Sequence, residues 1–77
     1  MTVTVKVFAH LRDRLGFSET TLELPDGGRV SDVWKAVSDE DEVPRHVLAA
    51  INLDYARPDS GVADGDEVAF FPPVTGG

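Results

Sequence analysis

From Thr2 to Phe8 apolar and polar side chains alternate, with Val3, Val5 and Val7 on one face and Thr2, Thr4, Lys6 and Phe8 on the other. A two-residue period of this kind belongs to a half-buried strand. The next segment, AHLRDRLGF, mixes charge with Leu11 and Leu15 at helical spacing, which predicts a short helical turn closed by Gly16 in the left-handed conformation. In TTLEL the two-residue period returns at Leu22 and Leu24, and this second strand can pair antiparallel with the first. PDGG, from Pro25 to Gly28, then reads as a turn.

Val30 and Ser31 read as a staple residue and an N-cap, followed by Val33, Ala36 and Val37 on one helical face. They predict the main helix, about two turns long, with Trp34 beside its apolar stripe as a core or rim residue rather than a ligand platform. Pro44 forces a new start, and the unbroken apolar run from Val47 to Ile51 fits a central strand buried on both faces. Asn52 to Ala56 predicts a turn and a short edge strand containing Tyr55, and Arg57 to Gly61 a loop. DGDEVAFF supplies a turn at Asp64–Asp66 and a last strand, on which Val68 and Phe70 share one face and Ala69 and Phe71 the other. Pro72 and Pro73 remove ladder donors and end the sheet.

This order places one principal helix across one face of a small mixed sheet, the α+β arrangement of a β-grasp fold. A length of 77 residues leaves room for one core, so the expected organisation is a β-grasp domain over residues 1–71 and an extended tail over 72–77. A chain this short has little space for a deep cleft of its own, which argues against an enzyme acting alone. The formal charge of −7 repels nucleic acid and anionic membranes. With no cysteine there is no disulfide, thiolate metal site or thiol nucleophile, and a cytoplasmic setting fits. The alternating amino-terminal stretch does not resemble a signal peptide. His10 and His46 lack ligand partners at metal spacing, and the run SDEDE, Ser38 to Glu42, reads as a solvated helix end rather than a cation site. No metal is expected.

The chemistry concentrates at the carboxyl end, FFPPVTGG. Extended, residues 72–77 reach about 20 Å, enough to enter another protein's active site. Gly76 and Gly77 have no side chain to block a narrow channel, and Val74 and Thr75 lengthen the approach. A terminal carboxylate resists nucleophiles until it is activated, for example by adenylation. From the glycine pair alone, a frayed terminus is the favoured reading, and the full context of the tail reverses that. Phe71 and Phe8 are predicted outward as apolar anchors, although a one-residue slip would exchange Phe71 with the core residue Phe70.

The stretch DGDEVAFFPPVTGG, Asp64 to Gly77, resembles the carboxyl-terminal signature of the small, sulfur-carrying subunit of molybdopterin synthase, a ubiquitin-like family. VKVFAHLRDRLG at Val5 to Gly16 and LAAIN at Leu48 to Asn52 resemble its first strand and its middle strand. The resemblance implies that an adenylating enzyme related to ubiquitin activators charges Gly77 with AMP from ATP, and that sulfur from a donor enzyme then makes a terminal thiocarboxylate. It further implies that the tail, Pro72, Pro73, Val74, Thr75, Gly76 and Gly77, inserts into the large catalytic subunit. There the sulfur passes to precursor Z to build the molybdopterin dithiolene. On this pattern the partner is a large subunit in a heterotetramer, the carrier has no permanently bound cofactor and no acid or base of its own, and Arg12 joins Phe71 and Phe8 at the interface. A ubiquitin-like modifier joined to lysines, a carrier for thiamine thiazole synthesis and an inert interaction module are the alternatives.

Overall fold

The computed structural model describes residues 1–73; the tail residues Val74, Thr75, Gly76 and Gly77 lie outside them. The first strand, β1 (Thr2–Val7), buries Val3, Val5 and Val7 and is followed by α1 (His10–Leu15), whose chain reverses at Gly16 with φ 84°. β2 (Glu19–Glu23) returns antiparallel to β1, with Val3 opposite Leu22 and Val5 opposite Thr20. The main helix, α2 (Val30–Ser38), precedes β3 (Leu48–Ile51), β4 (Asp54–Ala56) and β5 (Glu67–Phe71). The five strands lie in the order β2-β1-β5-β3-β4. β5 runs parallel to β1 in the centre and antiparallel to β3, which forms a hairpin with β4 at the edge. Two hairpins flanking a central parallel pair, with a helix across one face, form the β-grasp architecture expected from the order of elements.

The core lies between α2 and the sheet. Val3, Val5, Val68 and Phe70 from the strands meet Val30, Val33 and Trp34 from the helix, all with no exposed surface. The Trp34 and Phe70 rings meet edge to face, with centroids 4.9 Å apart, a geometry worth about 0.5–1.5 kcal/mol beyond area burial. Trp34 is therefore a core residue. Among the described residues its buried Nε1 has no hydrogen-bond partner, so the packing of the ring outweighs a polar cost of about 1–3 kcal/mol.

The helix start differs from the expected one. Ser31 is inside α2, and the N-cap is Arg29, whose N–H donates to the Asp32 carboxylate at 2.8 Å. The first helical amides find acceptors across the fold, Val30 N–H to Ser60 O at 3.0 Å and Ser31 N–H to Pro58 O at 2.8 Å. A hydroxyl cap is superfluous where a returning loop supplies carbonyls. The apolar stripe shifts as well, since Ala36 is exposed while Val30, Val33 and Trp34 are buried. β3 is an interior strand and not the central one, which is β5; Ala49 and Ala50 are nonetheless buried on its opposite faces.

Truncating the two adjacent phenylalanines separates core from surface. Phe70→Ala should cost about 3–5 kcal/mol as a buried-ring deletion, whereas Phe71→Ala should cost about 1 kcal/mol or less. Urea midpoints of the two variants, compared at equal slope, check the contrast.

Candidate functional site

Strand alternation that buries Val3, Val5, Val68 and Phe70 necessarily turns their neighbours to the opposite, helix-free face of the sheet. That face has two halves. Over β2 and β1 it is polar: Lys6 Nζ lies 3.1 Å from Glu67 and 3.8 Å from Glu19, and the Thr2 hydroxyl bonds Glu23. The hydrogen bond and charge of Glu67, reinforced by Glu19, hold the Lys6 ammonium above its ordinary pKa.

Over β5, β3 and β4 the same face is apolar. Phe8, Ala50, Leu53, Tyr55, Ala69 and Phe71 line a hollow of about 330 Å³. The Tyr55 and Phe71 rings lie 5.9 Å apart between centroids and form its wall. Phe8, Leu53 and Tyr55 are 48%, 87% and 80% exposed, large apolar side chains left in water at one place. Clustered exposure of this kind marks an interaction surface, whereas scattered single residues do not. Aromatic anchors around a small concavity are the usual centre of an interface.

Backbone strain collects around the hollow. Ala9, next to Phe8, has φ 56° and ψ −140°, and the β3–β4 turn has φ 50° at Asn52 and φ 73° at Leu53. Two successive positive φ values define the hairpin turn that matches strand twist, and glycine is the preferred residue at its second position. Asn52 suits its place, since its side chain donates to Asp66 at 3.0 Å and accepts from Glu67 N–H at 2.9 Å. Leu53 has no such compensation, and its side chain projects into the solvent at the mouth of the hollow. Strain retained at an exposed apolar residue points to a role outside folding.

The tail leaves beside this surface. Phe71 closes β5 opposite Leu48, Pro72 is half-buried and Pro73 is exposed. Without an N–H, neither proline can extend the ladder. Phe8, Phe71 and Pro72 are thus brought together at one end of the sheet. Arg12, by contrast, is exposed on α1, its Nε 3.4 Å from Ala9 O, and does not line the hollow. His10 and His46 are exposed. Among the described residues no group of three or more His, Asp or Glu side chains is placed to hold a metal ion. The acidic run instead forms ion pairs, Glu40 with Arg14 of α1 at 2.5 and 2.9 Å and Asp41 with Lys35 at 3.2 Å. Sequence reasoning found Phe8 and Phe71 but not Leu53 or Tyr55 as parts of this surface. An apolar residue at the tip of a two-residue turn was the available signal.

Residues 5–77 match the ThiS family from within the first strand through the tail. The chain belongs to the ThiS family. It is 37% identical over 83 residues to the molybdopterin synthase sulfur carrier subunit of Chlamydomonas reinhardtii, the alignment covering 100% of both chains. To the subunit of the same name from Escherichia coli K12 it is 34% identical over 84 residues, covering 97% of this chain and 99% of that one. The solved structure of small archaeal modifier protein 1 from Haloferax volcanii superposes with a TM-score of 0.82 at 26% identity, over 95% of this chain and 98% of its own. The resemblance read at Asp64–Gly77 and the ubiquitin-like β-grasp fold are both borne out. Among the described residues no helix is long and apolar enough to cross a membrane.

Leu53→Gly should relieve the left-handed strain and raise stability by about 0.5–1 kcal/mol. Urea unfolding of this variant beside the parent measures the change; a loss of stability would mean that the exposed leucine packs in a way its surroundings do not indicate.

Proposed function

We propose that this ThiS-family protein is a sulfur carrier that serves as the small subunit of a molybdopterin synthase. The observation that supports this most is the apolar hollow beside Phe71 and Pro72, directly upstream of a Gly-Gly tail, in a chain similar over its whole length to curated sulfur carrier subunits. The carboxylate of Gly77 attacks the α-phosphate of ATP on an adenylating enzyme, giving an acyl adenylate and pyrophosphate. Hydrosulfide released by a donor enzyme adds to the acyl carbon, AMP departs with the electron pair of the carbon–oxygen bond, and a thiocarboxylate remains. The hollow, with Phe8 and Phe71 as anchors, docks on a large subunit while Pro72 to Gly77 enter its active site. There the thiocarboxylate sulfur bonds to precursor Z, and water then cleaves the acyl–sulfur bond and regenerates the carboxylate.

This division of labour suits the chain physically. A partner supplies acid–base groups and binds the pterin, and the carrier contributes reach, a narrow tail and a docking face. Acyl adenylate and thiocarboxylate are transient covalent states of Gly77, so no resident cofactor is required. The cycle depends on ATP and belongs in the cytoplasm. A second reading, protein modification through Gly77, draws on the structural similarity to an archaeal modifier protein. The two share the activation step and differ in the nucleophile that follows it.

Intact-mass measurement after incubation with the adenylating enzyme, ATP and a sulfur donor should show one oxygen of the terminal carboxylate replaced by sulfur. The Gly77 deletion should show no change. An unaltered mass with an enzyme shown to release pyrophosphate would exclude the carrier role. Tail-dependent conjugates on other proteins would favour the modifier reading.

A further inference from the structure

A protein whose own terminus becomes an activated acyl group must coexist with its own amines. This chain has few. Its seven basic side chains comprise two lysines, Lys6 and Lys35, and five arginines, and an arginine stays protonated and is no nucleophile. The Met1 amino group, on a half-buried residue, donates to Leu24 O at 2.6 Å and faces Asp26 at 3.6 Å. Lys6 is held between Glu67 at 3.1 Å and Glu19 at 3.8 Å, and its side chain is 35% exposed. The two carboxylates raise its pKa, Glu67 most, which lowers the fraction carrying the free lone pair an acyl transfer needs.

Lys35 is different. Its side chain is 62% exposed, and its ion-pair partner, Asp41 at 3.2 Å, is itself 86% exposed. Exposed pairs of this kind are weak and open readily. Lys35 also stands on the rim of a hollow of about 570 Å³, over Leu24, Pro25, Gly28 and Ala36. An acyl donor can therefore approach it without displacing protein. This hollow lies on the helix side of the sheet, away from the docking face around Phe71.

We propose that Lys35 is the acyl-acceptor site of the protein, the amine among the described residues that an activated carboxyl group reaches, including the activated terminus of a second copy. The part concerning the terminus rests on the adenylation step proposed above. In that step the neutral Lys35 Nζ adds to the carbonyl carbon of Gly77 in the acyl adenylate. A C–N bond forms, the bond from that carbon to the phosphate oxygen breaks, AMP departs with the electron pair, and the amine proton passes to water. The product is an isopeptide-linked dimer. Shielding of Lys6 and the Met1 amine confines this side reaction to one position, and sulfur transfer competes with it for the same adenylate.

Limited acetylation of the whole protein with N-hydroxysuccinimidyl acetate, followed by peptide mapping, tests the site without reference to sulfur chemistry. Lys35 should react about fivefold or more faster than Lys6. Glu67→Gln should raise the Lys6 rate and leave Lys35 unchanged, and Glu19→Gln serves the same purpose should the first variant not fold. Equal or faster reaction at Lys6 in the parent protein overturns the proposal. With the adenylating enzyme and ATP but no sulfur donor, a Gly77–Lys35 linked dimer should form, persist in Lys6→Arg and vanish in Lys35→Arg. Pyrophosphate release with no dimer, or with a dimer that survives Lys35→Arg, overturns the part concerning the terminus. Without pyrophosphate release it is the carrier reading that fails, and the acetylation ranking still decides Lys35.

Discussion

The parallel ladder between β1 and β5 lays residues 4–7 against residues 67–70 in the middle of the sheet. It joins two stretches some sixty residues apart, so its loop-closure entropy must be recovered by the burial it permits. That burial is the meeting of Val5 with Val68 and Val7 with Phe70 beneath Trp34. The same ladder decides what the outer face presents. Because Phe70 points into the core, Phe71 points out, and because β1 runs alongside, Phe8 arrives at the same end of the sheet. The tail starts where these two rings stand.

A slip of one residue in this register would bury Phe71 and expose Phe70, and both the core and the docking face would be lost together. The core and the apolar outer face are thus specified by one alternation read from its two sides. The protein nevertheless carries cost on the outer side. Leu53 sits at φ 73°, Ala9 at φ 56°, and Phe8 and Tyr55 remain in water. Positions that folding alone would assign to glycine or polar residues are held by apolar ones, which is the pattern of a surface built to be covered. The polar half, with Lys6 between Glu67 and Glu19, confines the apolar area to the end from which the tail departs.

Much of this was legible in the chain. β1, β2 and β5 announced themselves because a sheet with one covered face imposes a strict two-residue period. Gly16 was legible as a left-handed closure because no side chain competes with that conformation. The helix start was misplaced because its amides are satisfied by Pro58 and Ser60, residues whose approach no local pattern encodes. Ala36 followed helical spacing but faces water, since a small residue carries little information about which face is buried. The hollow escaped notice apart from Phe8 and Phe71. Leu53 and Tyr55 reach it through a hairpin whose two positive φ values are set by the Asn52 contacts with Asp66 and Glu67. The chemistry proposed for Gly76 and Gly77 rests on composition and resemblance alone, and it concerns residues outside those described.

The protein is therefore organised as a platform with one apolar face and an exit at Pro72 and Pro73, beside which the acyl chemistry proposed for Gly77 would take place. The account depends above all on the outer face, and not the helix side, being what the large synthase subunit covers. Amide chemical-shift mapping of the isotope-labelled protein, titrated with that subunit, tests this directly. The account predicts that perturbations concentrate at Phe8, Ala50, Leu53, Tyr55, Ala69, Phe71 and the tail, and spare α2 around Lys35. Perturbations centred on α2 with the hollow unaffected would contradict it.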